Sequence, residues 1–285
     1  MTTVLLALAS AAAYGASDFV GGVVSRRTPA WGVAFAVQLT SALAVLGVAL
    51  ARPHGLTTPD LLWGLMGGVG SGVGIAFLFR GFAAGRMSVV APLSAVGAAV
   101  VPVAVGLLTG ERPGPLVLAG LAVAVPGIWL VSVGERAPGE VGADAPRSAS
   151  DSGILDGVLA GLGFSATFIG LGRLGDDPGL WPLVASQTMS AVTVVVLATA
   201  LGSRLFPLDR AAWRAWPGGP LGSLALVLYQ ASTAAGLLTV AVVVTSLYPA
   251  MTILLAVLLL KEHISRPQTL GLILCGVCVA LVAAG

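Results

Sequence analysis

Long apolar runs follow one another along the chain, separated by short clusters of Arg, Asp, Glu and Pro. A helix needs about 20 apolar residues to cross the roughly 30 Å hydrocarbon core of a bilayer. With the charged and proline clusters read as loops, that length predicts ten helices, at about 3–24, 31–51, 61–84, 88–109, 114–133, 153–174, 180–201, 217–236, 239–260 and 267–284. The runs are Leu, Val, Ala and Gly without the alternation of a membrane barrel strand, so helices are the expected spanning element. The segment "GERAPGEVGADAPRSASDSG" interrupts this pattern with Pro, Gly, Ser and both charge signs. It reads as a flexible linker at 135–152 between a first unit, 1–134, and a second, 153–285.

Composition agrees with a lipid solvent. Of 285 residues, 57% are hydrophobic and only 9% charged, where a soluble domain carries about a quarter charged residues. A net charge of +2 is too small to suggest a nucleic-acid partner. The amino terminus lacks a basic region and runs into Asp18 rather than a cleavage site, unlike a secretory signal. Cys275 and Cys278 form a C-x2-C on the last helix with no further ligands, and are expected to pack rather than bind metal. His54 and His263 have no metal-like spacing, and no acid, base and nucleophile constellation suggests an enzyme. The glycine run "GLMGGVGSGVG", 64–74, has no Lys-Ser/Thr after it and is no phosphate loop. Its four-residue spacing points to close helix packing, with a flexible gating segment as the alternative. No cofactor is implied.

The two units are related. "TPAWGVAFAVQLTSA" (28–42) matches "DPGLWPLVASQTMSA" (177–191), placing Pro29 on Pro178, Gln38 on Gln187 and Ser41 on Ser190. "FRGFAAGRMSVVAPLSAV" (79–96) matches "YQASTAAGLLTVAVVVTSLYPA" (229–250), with Ser88 on Thr239 and Ser94 on Thr245. Glu111 then meets Glu262, and Gly120 meets Gly271. Two successive units of five helices each must lie in opposite orientations. That is the inverted-repeat plan of many secondary transporters, with the substrate site near the midplane. With the N-terminus outside, Arg26, Arg27, Arg80, Arg86, Arg136, Arg147, Arg204, Arg210, Arg214, Lys261 and Arg266 fall inside, and only Arg52, Arg112 and Arg173 fall outside. Cytoplasmic loops collect Lys and Arg, so both termini are expected to be extracytoplasmic and the linker cytoplasmic.

The stretch "SLYPAMTILLAVLLLKEHISRPQTLGLILCGVCVALV" (246–282) resembles the C-terminal signature of an EamA domain of the drug/metabolite transporter superfamily. Pro249, Glu262, Gly271 and Gly276 fill its places. The first unit keeps Glu111, Gly120 and Gly127 but has Ala98 where the Pro would sit, with Pro102 one turn later. "YGASDF" (14–19) resembles the family's aromatic-Gly-Ser-Asn-Phe opening, with Asp18 in place of Asn. Many members carry an Arg near Gln38 and Gln187; this chain does not, so an anion-binding role there does not carry over. The resemblance implies a small-metabolite transporter, often an exporter of amino acids or related compounds. It makes Glu111 and Glu262 signposts at helix ends, with capping as the expected role and transport as the alternative.

Ionisable groups inside a membrane are functional candidates by default. Asp18 and Arg80 lie near the inner ends of parallel helices at similar depth, so they are expected to pair. The alternatives are Arg80 snorkelling to headgroups, Asp18 reaching water, Arg26 or Arg27, and a substrate or proton role. Gln38 and Gln187 serve either as interhelical adhesion or as cavity lining. "LYQAST" (228–233) puts Tyr229, Gln230, Ser232 and Thr233 on most faces of one turn. Tyr14, Ser94, Thr245 and Tyr248 complete the candidates. The set Tyr14, Asp18, Arg80, Tyr229 and Gln230 would suit a zwitterionic or amphipathic solute.

The expected protein is an all-α integral membrane transporter of a bacterial inner membrane, a monomer or homodimer. It would move an amino-acid-like solute by alternating access, in the export direction, driven by protons or by the solute gradient. A small multidrug or cation exporter, and a receptor or scaffold subunit that binds without transporting, remain open.

Overall fold

The apolar runs fold as helices. The computed structural model describes residues 1–25, 27–51, 56–84, 87–132, 153–175, 177–203, 205, 210–260 and 265–285. The expected linker at 135–152, and Arg26, His54, Lys261, Glu262 and His263, lie outside the described residues. Eleven α-helices occur among the described residues. The first unit contributes α1 (Thr2–Ser25), α2 (Ala30–Ala51), α3 (Thr58–Ala83), α4 (Met87–Leu108) and α5 (Pro115–Ser132). The second contributes α6 (Ile154–Gly172), α7 (Trp181–Ala200), α8 (Gly218–Ala234), α9 (Leu238–Thr245), α10 (Tyr248–Leu260) and α11 (Arg266–Ala284), with a 3-10 turn at Ala212–Ala215.

Several starts follow from local chemistry. Proline stands in the first turn of α3, α7 and α11, where its missing N–H costs nothing. Thr57 caps α3 through the Asp60 amide, and Ser265 forms a capping box with Gln268 at α11.

Among the described residues, seven stretches are long and apolar enough to cross a membrane: Thr2–Ser25, Ala30–Ala51, Thr58–Ala83, Ile154–Gly172, Trp181–Ala200, Leu238–Leu259 and Arg266–Ala284. Leu93–Leu108 and Pro115–Val131 are apolar but shorter, and α8 has 17 residues.

One expected helix, 239–260, is broken at Ser246–Leu247 between α9 and α10. Pro249 explains the break: it has no N–H to continue the ladder, and its ring crowds the carbonyl one turn back. At the equivalent place in the first unit stands Ala98, and α4 runs on unbroken.

Many large aliphatic side chains face outward, while Tyr229, Phe79 and Leu78 are among the large ones buried inside. Leu43, Leu62, Leu258 and Ile273 are each more than half exposed, a surface suited to lipid tails. Much of the interior is Ala, Gly, Ser and Val, which let helix backbones approach closely. Gly64, Gly68 and Gly72 of α3 face α7. A Cβ at Gly64 would stand 2.5 Å from the Pro182 carbonyl oxygen, and one at Gly72 would stand 2.7 Å from that of Ser190. At Gly68 it would collide with the Ser186 carbonyl. On the next face Gly70 crosses Gly163 of α6 with the same lack of space.

The units are interlocked rather than side by side. α1 packs on α8, α9 and α10, while α6 packs on α3 and α4. The first helix of each unit therefore sits against the third and fourth helices of the other. Paired hydrogen bonds repeat the relation: Ser17 donates to the Gly218 carbonyl, and Thr167 donates to the Gly67 carbonyl, each at about 3 Å.

Both termini lie on one face. Thr3 bonds Ala235 and Ser232 at the end of α8, Asp60 accepts from the Gly175 amide, and Gly285 abuts Leu116 and Val117. The opposite face holds the end of α5 and the start of α6.

Candidate functional site

Helices from both units enclose a central cavity. Tyr14, Ser17 and Asp18 of α1 line it, with Gln38 of α2, Ser71 of α3, Phe164, Thr167 and Phe168 of α6, Gln187 of α7, Gly222 and Leu226 of α8, and Tyr248 of α10. Val37 and Ile75 complete the wall of a narrow cavity of about 40 Å³.

The polar floor of this cavity is a crossed pair of amides. Gln38 Nε2 donates to Ser190 on α7 and, at 2.9 Å, to Ser71 on α3. Gln187 Nε2 donates back to Ser41 on α2, and Ser41 is 2.6 Å from Ser223 on α8. Both readings of these residues therefore apply: the amides join helices and also line the cavity. Gln187 Oε1 is buried without a hydrogen-bond partner.

Aromatic rings form the opposite wall. Tyr14 lies edge-on to Phe168, with centroids 6.1 Å apart, and at the same separation from Tyr248. Phe168 also packs on Tyr229, with centroids 4.8 Å apart, and its carbonyl accepts from the Tyr229 hydroxyl at 2.8 Å. Tyr229 is thus fully buried behind the ring wall rather than in the cavity.

Arg80 is not the partner of Asp18. Its Nε and Nη2 both donate to Asp156 Oδ1, the former at 2.8 Å, and its guanidinium lies 4.4 Å from the centroid of the Phe77 ring. The expected Asp18–Arg80 pair is corrected to Arg80–Asp156. The physical reason is that α6 inserts beside α3, bringing the carboxylate of its first turn to the end of α3. Asp156 was legible as an acid in a helix's first turn, where the positive dipole end favours it. Asp18 makes no hydrogen bond or ion pair among the described residues and is the one charged side chain lining the cavity.

The structure thus gathers Tyr14, Asp18, Gln38, Gln187 and Tyr248 in one place. Ser94 and Thr245 are buried in α4 and at the end of α9, outside the cavity lining. Gln230 faces a second, more open crevice of about 900 Å³ on the terminus face, between α2, α8 and the α6–α7 loop. There its Nε2 donates to the Gly179 carbonyl at 3.1 Å. Ser71, Phe164, Thr167 and Phe168 join the lining without having been singled out. Phe164 and Phe168 stand opposite Tyr14 and Asp18 in the repeat, and that register is the signal that could have found them. Glu111 caps across the units: Oε1 accepts from the Leu238 amide at 2.7 Å and Oε2 from that of Thr239 at 3.0 Å.

Comparisons with known proteins agree with this architecture. A protein solved by crystallography superposes with a TM-score of 0.74 at 17% identity, over 99% of this chain and 96% of its own. At that identity the likeness shows the fold alone. A search of curated proteins found no match. The model of the EamA-like transporter family matches twice, over residues 1–133 and 151–284. A membrane-suited helical surface, two related units and a double family match lead to one conclusion: the chain belongs to the EamA-like transporter family.

Proposed function

We propose that the protein moves a small organic solute across a bacterial inner membrane by alternating access, with the central cavity as its binding site. The observation that carries this reading is the cavity itself. It is lined from both units and holds a carboxylate and a buried amide oxygen without partners. Buried polar groups cost free energy unless satisfied, so an occupant with polar atoms belongs there.

The same reading takes ten membrane crossings in two inverted five-helix repeats, α9 and α10 forming one broken crossing. Inverted repeats rock against each other around a site at their interface. The open crevice on the terminus face and the Arg80–Asp156 pair near the opposite face suit a conformation accessible from the terminus side. The distribution of Arg and Lys favours termini outside the cytoplasm and a cytoplasmic linker. A reporter fused after Gly285 should therefore behave as extracytoplasmic, and a cytoplasmic signal overturns the orientation.

Transport is secondary or facilitative, with export as the favoured direction and protons as the candidate coupling ion. The five residues first grouped as a zwitterion site are divided by the structure: Tyr14 and Asp18 line the cavity, whereas Arg80, Tyr229 and Gln230 do not. A thermal-shift screen against amino acids, polyamines, nucleobases and cationic drugs identifies ligands, and counterflow in liposomes tests them. A receptor binds its ligand and gives no counterflow.

A further inference from the structure

Among the described residues, the central cavity has acceptors to spare and no positive charge. Asp18 is the one charged side chain in its wall among the described residues. The nearest expected counter-charge, Arg80, is held by Asp156 outside the lining. Most polar donors in the wall are also committed. Gln38 gives both Nε2 protons to serines and Gln187 gives one, while Ser17 and Thr167 give theirs to the carbonyls of Gly218 and Gly67. The donors that these bonds leave are all neutral: hydroxyls and one amide N–H of Gln187. On the acceptor side, Asp18 has no hydrogen-bond or ion-pair partner among the described residues, and Gln187 Oε1 is unpartnered.

A carboxylate-bearing solute would enter this cavity against the field of Asp18 and find no cation to receive it. A protonated amine would supply what the wall lacks, a positive charge and N–H donors. The rings of Tyr14, Phe164, Phe168 and Tyr248 provide an apolar wall beside Asp18. Aromatic faces attract cations and also bury an apolar body.

We propose that the cavity takes an organic monocation, an amine on an apolar or aromatic body without a carboxylate, with Asp18 as its counter-charge. This rests on the transport reading of the same cavity and narrows its solute class. It also favours a cationic cargo over an amino-acid-like one.

Three probes share one ring and differ in charge: phenethylamine, phenylalanine and 3-phenylpropionate. Their dissociation constants are measured by calorimetry on the full chain in nanodiscs at pH 7. Phenethylamine should bind at least about tenfold more tightly than either carboxylate, since an unpaired charge in a buried site is costly. Asp18→Asn should abolish that preference, and Asp18→Glu should retain it. Phenylalanine or phenylpropionate binding as tightly as phenethylamine overturns the assignment. So does failure of phenethylamine to bind, or a preference that survives in a folded Asp18→Asn protein. If Asp18→Asn does not fold, the ranking on the unmodified chain decides alone. Counterflow of the same probes separates this inference from the transport reading. Exchange of phenylalanine without phenethylamine overturns the cation assignment and leaves transport standing. Asp18-dependent binding of phenethylamine without exchange of any probe supports the assignment and overturns transport.

Discussion

Gln38 and Gln187 each hold the other's helix: Gln38 donates to Ser190, and Gln187 donates to Ser41, three residues beyond Gln38 on its own helix. The two bonds are one interaction repeated by the internal symmetry of the chain. Interhelical side-chain bonds in membranes average about 0.6 kcal/mol and reach about 1.7. Gln38→Leu and Gln187→Leu should therefore each lower unfolding stability in detergent by about 1 kcal/mol. A loss of several kcal/mol from either alone would mean the amides do more than join helices.

The Arg80–Asp156 pair should behave asymmetrically. Asp156 is buried, whereas a third of the Arg80 side chain is exposed. Removing one member of a buried pair costs about 3–5 kcal/mol, because a charge is left alone. Arg80→Ala leaves the buried Asp156 alone and should fall in that range, whereas Asp156→Ala leaves a partly exposed Arg80 and should cost less. The double change Arg80→Ala with Asp156→Ala should recover most of that loss in a denaturant titration. Equal losses from the single and double variants would show that the pair is not a unit.

Glycine packing between α3 and α7 gives a sharper contrast. A Cβ at Gly68 has no room against the Ser186 backbone, whereas at Gly276 nothing lies within 4 Å. Gly68→Ala should cost about 1–3 kcal/mol through forced separation of the helices. Gly276→Ala should leave thermal stability unchanged or raise it slightly, since alanine is the better helix former. Comparable melting temperatures for the two variants would contradict the packing described.

Glu111 ties the loop between α4 and α5 to the first turn of α9. Its carboxylate satisfies two amides and meets the positive end of the helix dipole. Glu111→Ala should cost about 0.5–2 kcal/mol, as loss of a helix cap does. Glu111→Gln should cost less, because one acceptor oxygen remains. Hydrogen exchange at Leu238 and Thr239 reads this directly, and unchanged protection in Glu111→Ala would rule out the cap.

Much of the fold was legible because the internal repeat carries geometry. The shared spacing of Gln38 with Gln187, and of Ser41 with Ser190, anticipated a symmetric contact, though not that the serines would receive the amide protons. The break before Pro249 was missed, because the apolar run 239–260 is continuous in hydropathy although its proline cannot continue the backbone ladder. Depth along a helix was readable for Arg80, but partner choice was not. Asp18 and Asp156 both lie on helices that end near Arg80, and only the insertion of α6 beside α3 decides between them. Linear patterns also treated Tyr229 and Gln230 as one polar cluster. Adjacent residues on a helix point in different directions, and these two face the aromatic wall and the outer crevice.

The central claim is that solute passes through the cavity between the two units, and counterflow in proteoliposomes tests it most directly. Gly222 lines that cavity, and a Cβ there meets only Ser17 Oγ, at 3.4 Å, so a phenylalanine side chain at this position would occupy the solute's space. A ligand found by thermal shift should exchange across the membrane with the unmodified protein. Exchange should fall to the level of empty liposomes with a folded Gly222→Phe variant. Binding without exchange in the unmodified protein, or full exchange in Gly222→Phe, would contradict the account.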